Sequence, residues 1–320
     1  MDIREPAVAG QFYPESAESC RAEVRSYLSA AESLAQQNQV TKSIDRPNLV
    51  VQKPAECADS SPCVEDIAGG IVPHAGWICS GQVAAEVFWQ LLQHRPIDTV
   101  VIFGAAHRLI SKQAALSQQI WATPLGEMAI DDELAQATLS LVPNDVCDQS
   151  DAHEQEHSIE VQLPFIQYLL PTARLLPILV PHVAPAVAIG RTVAMQAERL
   201  GRQVVFVGST DLTHYGPRYR FTPKGTGPTG LTWAKQHSDQ RFIDLACNMQ
   251  ADAMVSEASQ HHNACGAAAV AATIAACQHR GATRGILLRH TTSAEVLLDR
   301  FGPTDDAVGY AGILFAKSKE

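Results

Sequence analysis

The sequence predicts an α/β domain, with a central, largely parallel or mixed sheet covered by helices on both faces. Two observations predict it. Short apolar, β-branched runs alternate with helical segments along the chain, the pattern of strands buried between helices. Apolar residues make up 46% of the 320 and charged residues 18%, which fills one large core and excludes a disordered chain. There is no internal repeat and no low-complexity tract, so one domain over 1–320 is expected.

In chain order, Tyr13-Pro14-Glu15-Ser16 opens a first helix over Ala17 to Ala35, with Cys20, Val24, Leu28 and Leu34 near one stripe. From Gln36 to Asp66 the pattern gives way to a polar stretch with two prolines and a Ser-Ser-Pro-Cys run. It reads as a surface insertion at about 36–66, because nothing before it could fold alone. Ile67 to Pro73 is a short strand, Gly81 to Leu92 a helix, and Thr99 to Gly104 a buried strand by its β-branched run. Asp131 to Leu141 is a capped helix and His157 to Leu170 another. Leu175 to Val180 is a strand, Ala184 to Leu200 a helix, Gln203 to Gly208 a strand, and Leu231 to Cys247 a helix. The Ala-rich run from Ala264 to Cys277 suits a helix packed closely on a sheet. Gly285 to Arg289 and Val308 to Phe315 close the chain as strands.

Charge narrows the function. Lys+Arg 24 against Asp+Glu 34 gives −10, with no basic run, so the footprint of a nucleic-acid binder is missing. The longest nearly unbroken apolar stretch, Ala264 to Cys277, falls short of the roughly 20 residues a bilayer span requires. The opening residues carry two acids and no apolar run, so no secretory leader is expected and the expectation is a cytoplasmic protein. Eight scattered cysteines then read as free thiols or ligands. Cys57 and Cys63 bracket a polar loop, but no second pair accompanies them.

The twelve histidines are more informative. In open α/β sheets, ligands bind beyond the carboxyl ends of strands. His74 follows Ile71-Val72-Pro73, His107 follows Val101 to Ala106, and His214 follows Val205 to Thr213, with Asp211 beside it. Three strand ends thus deliver a histidine to one rim. Neutral imidazoles plus one anionic ligand suit a divalent first-row metal. Cys265, at the start of the Ala-rich helix with Asn263 as its N-cap, reads as a soft ligand, a nucleophile or a packing residue. His153-Glu154-Gln155-Glu156-His157 matches the zincin pattern H-E-x-x-H. It sits at a helix start rather than inside a helix, and no third ligand follows at the usual spacing. Glu156 and His157 are therefore expected at the site rim, and Trp77 and Tyr215 beside site histidines as pocket walls or loop packing.

Six segments in order resemble the Memo family, which includes the proteins called AmmeMemoRadiSam system protein B. They are Arg4 to Pro14 (REPAVAGQFYP), Val72 to Trp77 with Ser80-Gly81, Phe103 to His107, Glu156 to Phe165, Ser209 to Gly216, and Cys265-Gly266. The resemblance implies a fold like that of the class III extradiol dioxygenases, non-haem iron enzymes in which two histidines and a glutamate bind the metal. On this chain it implies His74 and His107 as the histidine ligands and Cys265 in place of the glutamate. The resemblance also implies His214 at the acid/base position, or as a further ligand, with Asp211 beside it. A thiolate softens the ligand set, toward iron or copper first and zinc second.

Three functions compete at this stage. The first is a metal-dependent oxidoreductase with dioxygenase-like chemistry on a small substrate. The second is a non-catalytic binding or accessory protein that takes a small-molecule or peptide ligand and acts with AMMECR-type and radical SAM partners, as the resemblance implies. Neither partner domain is in this chain, which has no CxxxCxxC motif. The third is a thiol hydrolase with Cys265 as nucleophile and His214 as base.

Overall fold

The structure, a computed structural model, describes residues 2–42, 67–92, 96–108 and 113–317. Cys57, Cys63 and most of the expected 36–66 insertion lie outside the described residues.

The strands are β1 (Ile3–Arg4), β2 (Ile67–Val72), β3 (Thr99–Ala105), β4 (Ala114–Leu116), β5 (Ile120–Thr123) and β6 (Gly126–Met128). They continue as β7 (Val146–Asp148), β8 (Arg174–Val180), β9 (Val204–Ser209), β10 (His214–Tyr215), β11 (Arg284–Thr292) and β12 (Ala307–Ala316). The helices are α1 (Ala17–Lys42), α2 (Trp77–Leu92), α3 (Asp132–Leu141), α4 (Leu163–Leu169) and α5 (Ala186–Arg199). After them come α6 (Pro228–Trp233), α7 (Gln240–Cys247), α8 (Ala251–His261) and α9 (Ala267–His279).

Among the described residues, nine strands form one mixed sheet in the order β10-β12-β2-β9-β3-β8-β4-β7, with β11 also paired to β12. The centre, β2-β9-β3-β8, is parallel; β12 runs antiparallel to β2 and β4 antiparallel to β8. Every residue of β2, β3 and β9 is buried, as parallel strands under two helical layers must be. Successive residues of β2 report the two layers. A Cβ on Gly69 would strike Cys277 of α9, and one on Gly70 would meet Val87 of α2. The mixed α/β architecture expected from the alternation is therefore present. No helix among the described residues is long and apolar enough to cross a membrane.

Several boundaries differ, each for a local reason. The first helix runs past Ala35 to Lys42, the glutamines and lysine of this stretch being good helix formers without any apolar stripe. His157 to Leu170 is not one helix. A 3-10 turn at Glu160–Gln162 leads into the seven-residue α4, because the side chain of Glu160 is tied to the N-terminal segment and Pro164 starts the helix proper. Leu231 to Cys247 is split by a π turn at Ala234–Asp239. Helix α8 had no strong apolar stripe to announce it, and α3 begins after Asp131, whose carboxylate accepts the Leu134 N–H at 3.2 Å.

The N-terminal motif proves to be a clamp. The Arg4 guanidinium donates to Glu160 Oε2 at 2.8 Å, with side-chain exposures of 1% and 0%. Glu160 also accepts from Ala7 N–H (2.8 Å), Val8 N–H (2.9 Å) and the Tyr13 hydroxyl (2.8 Å). Arg4 further holds the carbonyls of His153 and Glu156, both at 2.8 Å. Residues 4–13 and 153–160 are thus one hydrogen-bonded unit, and that unit carries part of the site.

His153 is fully buried there, its Nε2 donating to Ala115 O at 2.9 Å. Burial, helped by the Arg4 charge, lowers its pKa to about 3. The unfolded chain, with an ordinary histidine near 6.5, binds the proton more readily, so stability should be full above about pH 6.5 and fall as the pH drops toward 3. The slope should reach about 1.4 kcal/mol per pH unit. Urea denaturation of the protein and of His153→Gln between pH 7 and 4 checks this; the gap between them should shrink on acidification.

Candidate metal centre

The register aligns the carboxyl ends of the parallel strands, pairing Val72 with Ser209 and Phe103 with Gly208. His74 and His107, each two residues past its strand, therefore meet. Their ring centroids are 4.9 Å apart. The third imidazole beside them is His157, stacked on His107 at 4.7 Å and edge-on to His74 at 5.4 Å. One ligand nitrogen from each of the three lies within 4.8 Å of the others, an arrangement that could hold a metal ion.

Two neighbours fix which nitrogen His74 and His107 leave free. Ser209 Oγ is 2.6 Å from Ser158 O, and a carbonyl cannot donate, so the hydroxyl hydrogen is spent there. His74 Nδ1, 2.9 Å from the same Oγ, must then carry the hydrogen, leaving Nε2 with a free lone pair. His107 Nδ1 lies 2.9 Å from Glu156 Oε1, which likewise commits that nitrogen and frees Nε2. Glu156 also accepts the backbone N–H groups of His107, His157 and Ser158 at 2.8–2.9 Å. This one buried carboxylate thus sets the geometry of two of the three histidines.

The electrostatics follow from that packing. Burial, then the neighbouring imidazoles, holds His74 well below the usual histidine range, and His157 is lowered for the same reasons. Both rings stay neutral, the form in which an imidazole can bind a metal. Burial also pulls His107 down, but hydrogen bonding to Cys265 and Glu156 outweighs it, and in the metal-free protein its pKa is pushed up to about 10, so a metal bound at Nε2 would displace a proton from it. Burial opposes ionisation of Glu156, yet its His107 and backbone donors keep it well below the carboxylate range. Replacing Ser209 with alanine or Glu156 with glutamine should each weaken metal binding by about 10–100-fold, as loss of an outer hydrogen-bond partner does. Competition against a chelator measures it.

Cys265 stands next to the cluster, but not in a helix. His262, at φ 53°, ends α8 in the left-handed region, and α9 begins only after Gly266. Asn263 does not cap α9; its amide donates to Ser238 O and Glu257, both at 3.0 Å. Gly266 is required because a Cβ there would lie 2.3 Å from Ser209 O. The turn places Cys265 Sγ 3.1 Å from His74 Nε2 and 3.3 Å from the Asp211 N–H.

Other expected site residues separate from the cluster. Asp211 is buried and its Oδ1 accepts the His74 N–H at 2.8 Å, so it braces the His74 loop and is not bonded to the His214 ring. Burial, working against that donor, raises its pKa to about 7. His214 Nδ1 donates to Leu212 O at 3.1 Å, and the ring lines a cavity that also contains Cys265. Trp77 gives its indole N–H to Val161 O at 2.9 Å and packs on Tyr13 and Phe165; Tyr215 gives its hydroxyl to Gly225 O at 2.7 Å. Both pack loops. The zincin-like pair is divided, with His153 in the core and His157 in the cluster.

Comparison with known proteins gives the family. The family described as Memo-like protein matches residues 4–314. A MEMO1 family protein of Pyrococcus abyssi is 34% identical over 98% of this chain and 100% of its own length. One from Methanococcoides burtonii is 31% identical over 98% and 99%, and one from Thermococcus onnurineus 36% over 78% and 87%. A solved structure of an uncharacterized Escherichia coli protein, at 14% identity and a TM-score of 0.40 over 68% of this chain and 86% of its own, is too distant to bear on function.

Proposed function

The chain belongs to the Memo-like protein family, and from that premise and the site geometry we propose a metal-dependent redox enzyme with dioxygenase-like chemistry on a small substrate. The observation that carries the reading is the approach of Cys265 Sγ to His74 Nε2, the nitrogen that Ser209 leaves free. Under this reading His74, His107 and Cys265 hold the metal, with His157 as a further imidazole. Such a mixed nitrogen and sulfur set suits iron, copper or zinc. A bound iron or copper would supply the redox chemistry with oxygen, and zinc a Lewis acid.

The remaining residues position groups and move protons. Glu156 and Ser209 orient the ligand rings, and Asp211 braces the His74 backbone. His214 takes or returns a substrate proton at Nε2, since Nδ1 is committed to Leu212 O. Burial lowers its pKa, which keeps that lone pair available near neutral pH. A Cys265–His214 dyad is less well supported, because the thiol hydrogen-bonds at His74, Thr210 and Asp211.

Oxygen consumption tests the proposal. Protein loaded with iron(II) or copper and offered a panel of small reduced organic compounds should consume oxygen in a substrate-dependent way. His214→Ala, at equal metal content, should be slower by about a hundredfold or more. Metal-loaded protein that consumes no oxygen with any compound would remove the redox reading.

A further inference from the structure

A histidine that moves protons needs a partner that fixes its ring. For His214 the nearby carboxylate in the sequence, Asp211, is spent on the His74 N–H instead. What holds the ring is Leu212 O, 3.1 Å from Nδ1. That carbonyl belongs to the same planar peptide group as the Thr213 N–H, and the two point in opposite directions. The Thr213 N–H donates to Asp239 Oδ1 at 2.9 Å. A carboxylate, a peptide and an imidazole thus form one chain of hydrogen bonds.

The carboxylate is fixed in its turn. Asp239 is 1% exposed, and its Oδ2 accepts from His290 Nε2 of β11 at 3.0 Å. It lies directly over Gly309 of β12, where a Cβ would come within 2.1 Å of Oδ2. Gly309 also brackets the peptide, accepting the Leu212 N–H at 2.8 Å and donating to Thr213 O at 3.0 Å. Asp239 ends the π turn, and the residue before it, Ser238, accepts the Thr213 hydroxyl at 2.9 Å. A π turn winds fewer degrees per residue than an α-helix, which lets two consecutive side chains reach the same threonine. Such turns are frequent at functional sites.

We propose that Asp239 is the positioning residue of His214, acting across the Leu212–Thr213 peptide. An anionic acceptor at the N–H end polarises the amide and makes its carbonyl a stronger acceptor for the Nδ1 hydrogen. The ring is thereby held in the tautomer that leaves the Nε2 lone pair available. The inference deepens the proposed function and rests on it only for the part that His214 plays in turnover.

Nitrogen NMR of histidine-15N-labelled, metal-free protein at pH 7.5 reads the tautomer directly. His214 should be in the Nδ1–H form in the unmodified chain. In Asp239→Ala it should move toward the Nε2–H form that an unconstrained imidazole prefers. Asp239→Asn keeps an acceptor for the Thr213 N–H, so it should keep the tautomer while the Nδ1 resonance moves upfield, the neutral amide being the weaker acceptor. His153, fixed elsewhere by Ala115 O, should give the same signals in each folded variant and serves as the control. A His214 ring that stays fully Nδ1–H in Asp239→Ala would overturn the proposal. So would an Nδ1 resonance unmoved in Asp239→Asn, which decides the matter should the alanine variant fail to fold. In metal-loaded protein, Asp239→Ala should slow substrate-dependent oxygen uptake about tenfold or more at equal metal content. The double variant Asp239→Ala/His214→Ala should be no slower than His214→Ala alone, whereas multiplied effects would contradict action through His214. The metal-free spectra are read without any turnover, so failure of the redox reading is distinguishable from failure of the positioning role.

Discussion

Replacing Glu160 with alanine should lower the free energy of unfolding by about 3–5 kcal/mol, the cost of leaving a buried charge unpaired. The carboxylate is completely buried and receives four donors: Arg4, Ala7 N–H, Val8 N–H and the Tyr13 hydroxyl. Removing it strands the Arg4 guanidinium, which the fold keeps out of water and stacks 4.1 Å over Trp121. Arg4→Met should cost a similar amount by stranding Glu160. Removing both charges in Arg4→Met/Glu160→Met should cost clearly less than the sum of the two, since the desolvation penalty disappears with the pair. Urea midpoints of metal-free protein give all three values. Because Arg4 also holds the Glu156 and His153 carbonyls, the single variants should bind metal more weakly even where they remain folded.

The second large effect concerns the ligands. His107→Ala and His74→Ala should each reduce metal affinity by more than the 10–100-fold expected for losing an outer hydrogen-bond partner. Each removes a donor nitrogen, and His107→Ala also leaves the Glu156 carboxylate without its imidazole partner. His214→Ala should keep metal, because its ring belongs to the cavity wall rather than to the cluster of three. The contrast separates a ligand from a proton-handling residue. It is read by equilibrium competition with a chromophoric chelator, on variants whose folding is first verified by circular dichroism.

Much of this site was legible in the sequence because parallel strands leave little freedom. A β-branched run followed within a few residues by histidine places that histidine on the carboxyl rim, and His74 and His107 arrived there. His157 was harder. It follows no strand, and its position depends on Arg4 and Glu160 tying residues 153–160 to the N-terminal segment, a contact across about 150 positions that no local pattern encodes. The available signal was that Arg4 to Pro14 and Glu156 to Phe165 are both among the segments that resemble the Memo family, and they pair in space through Glu160. Cys265 lies beside His74, but in a different setting from the helix start its sequence suggests. Its helix-start reading assumed Asn263 as a cap, whereas the left-handed turn at His262 and the close approach at Gly266 put it in a loop. Helix α8 and the short strands β4 to β7 carry little signal in the sequence because their apolar patterns are brief and satisfied by tertiary packing.

X-ray absorption at the edge of the metal held by protein purified anaerobically without an affinity tag tests the centre most directly. One sulfur scatterer at about 2.3 Å and two or three imidazole nitrogens near 2.0–2.1 Å are expected for zinc, with related distances for iron or copper. The sulfur shell should vanish in Cys265→Ser. A nitrogen and oxygen shell with no sulfur, unchanged in that variant, would contradict Cys265 as a ligand. An unchanged spectrum in His74→Ala as well would place the metal elsewhere in the molecule.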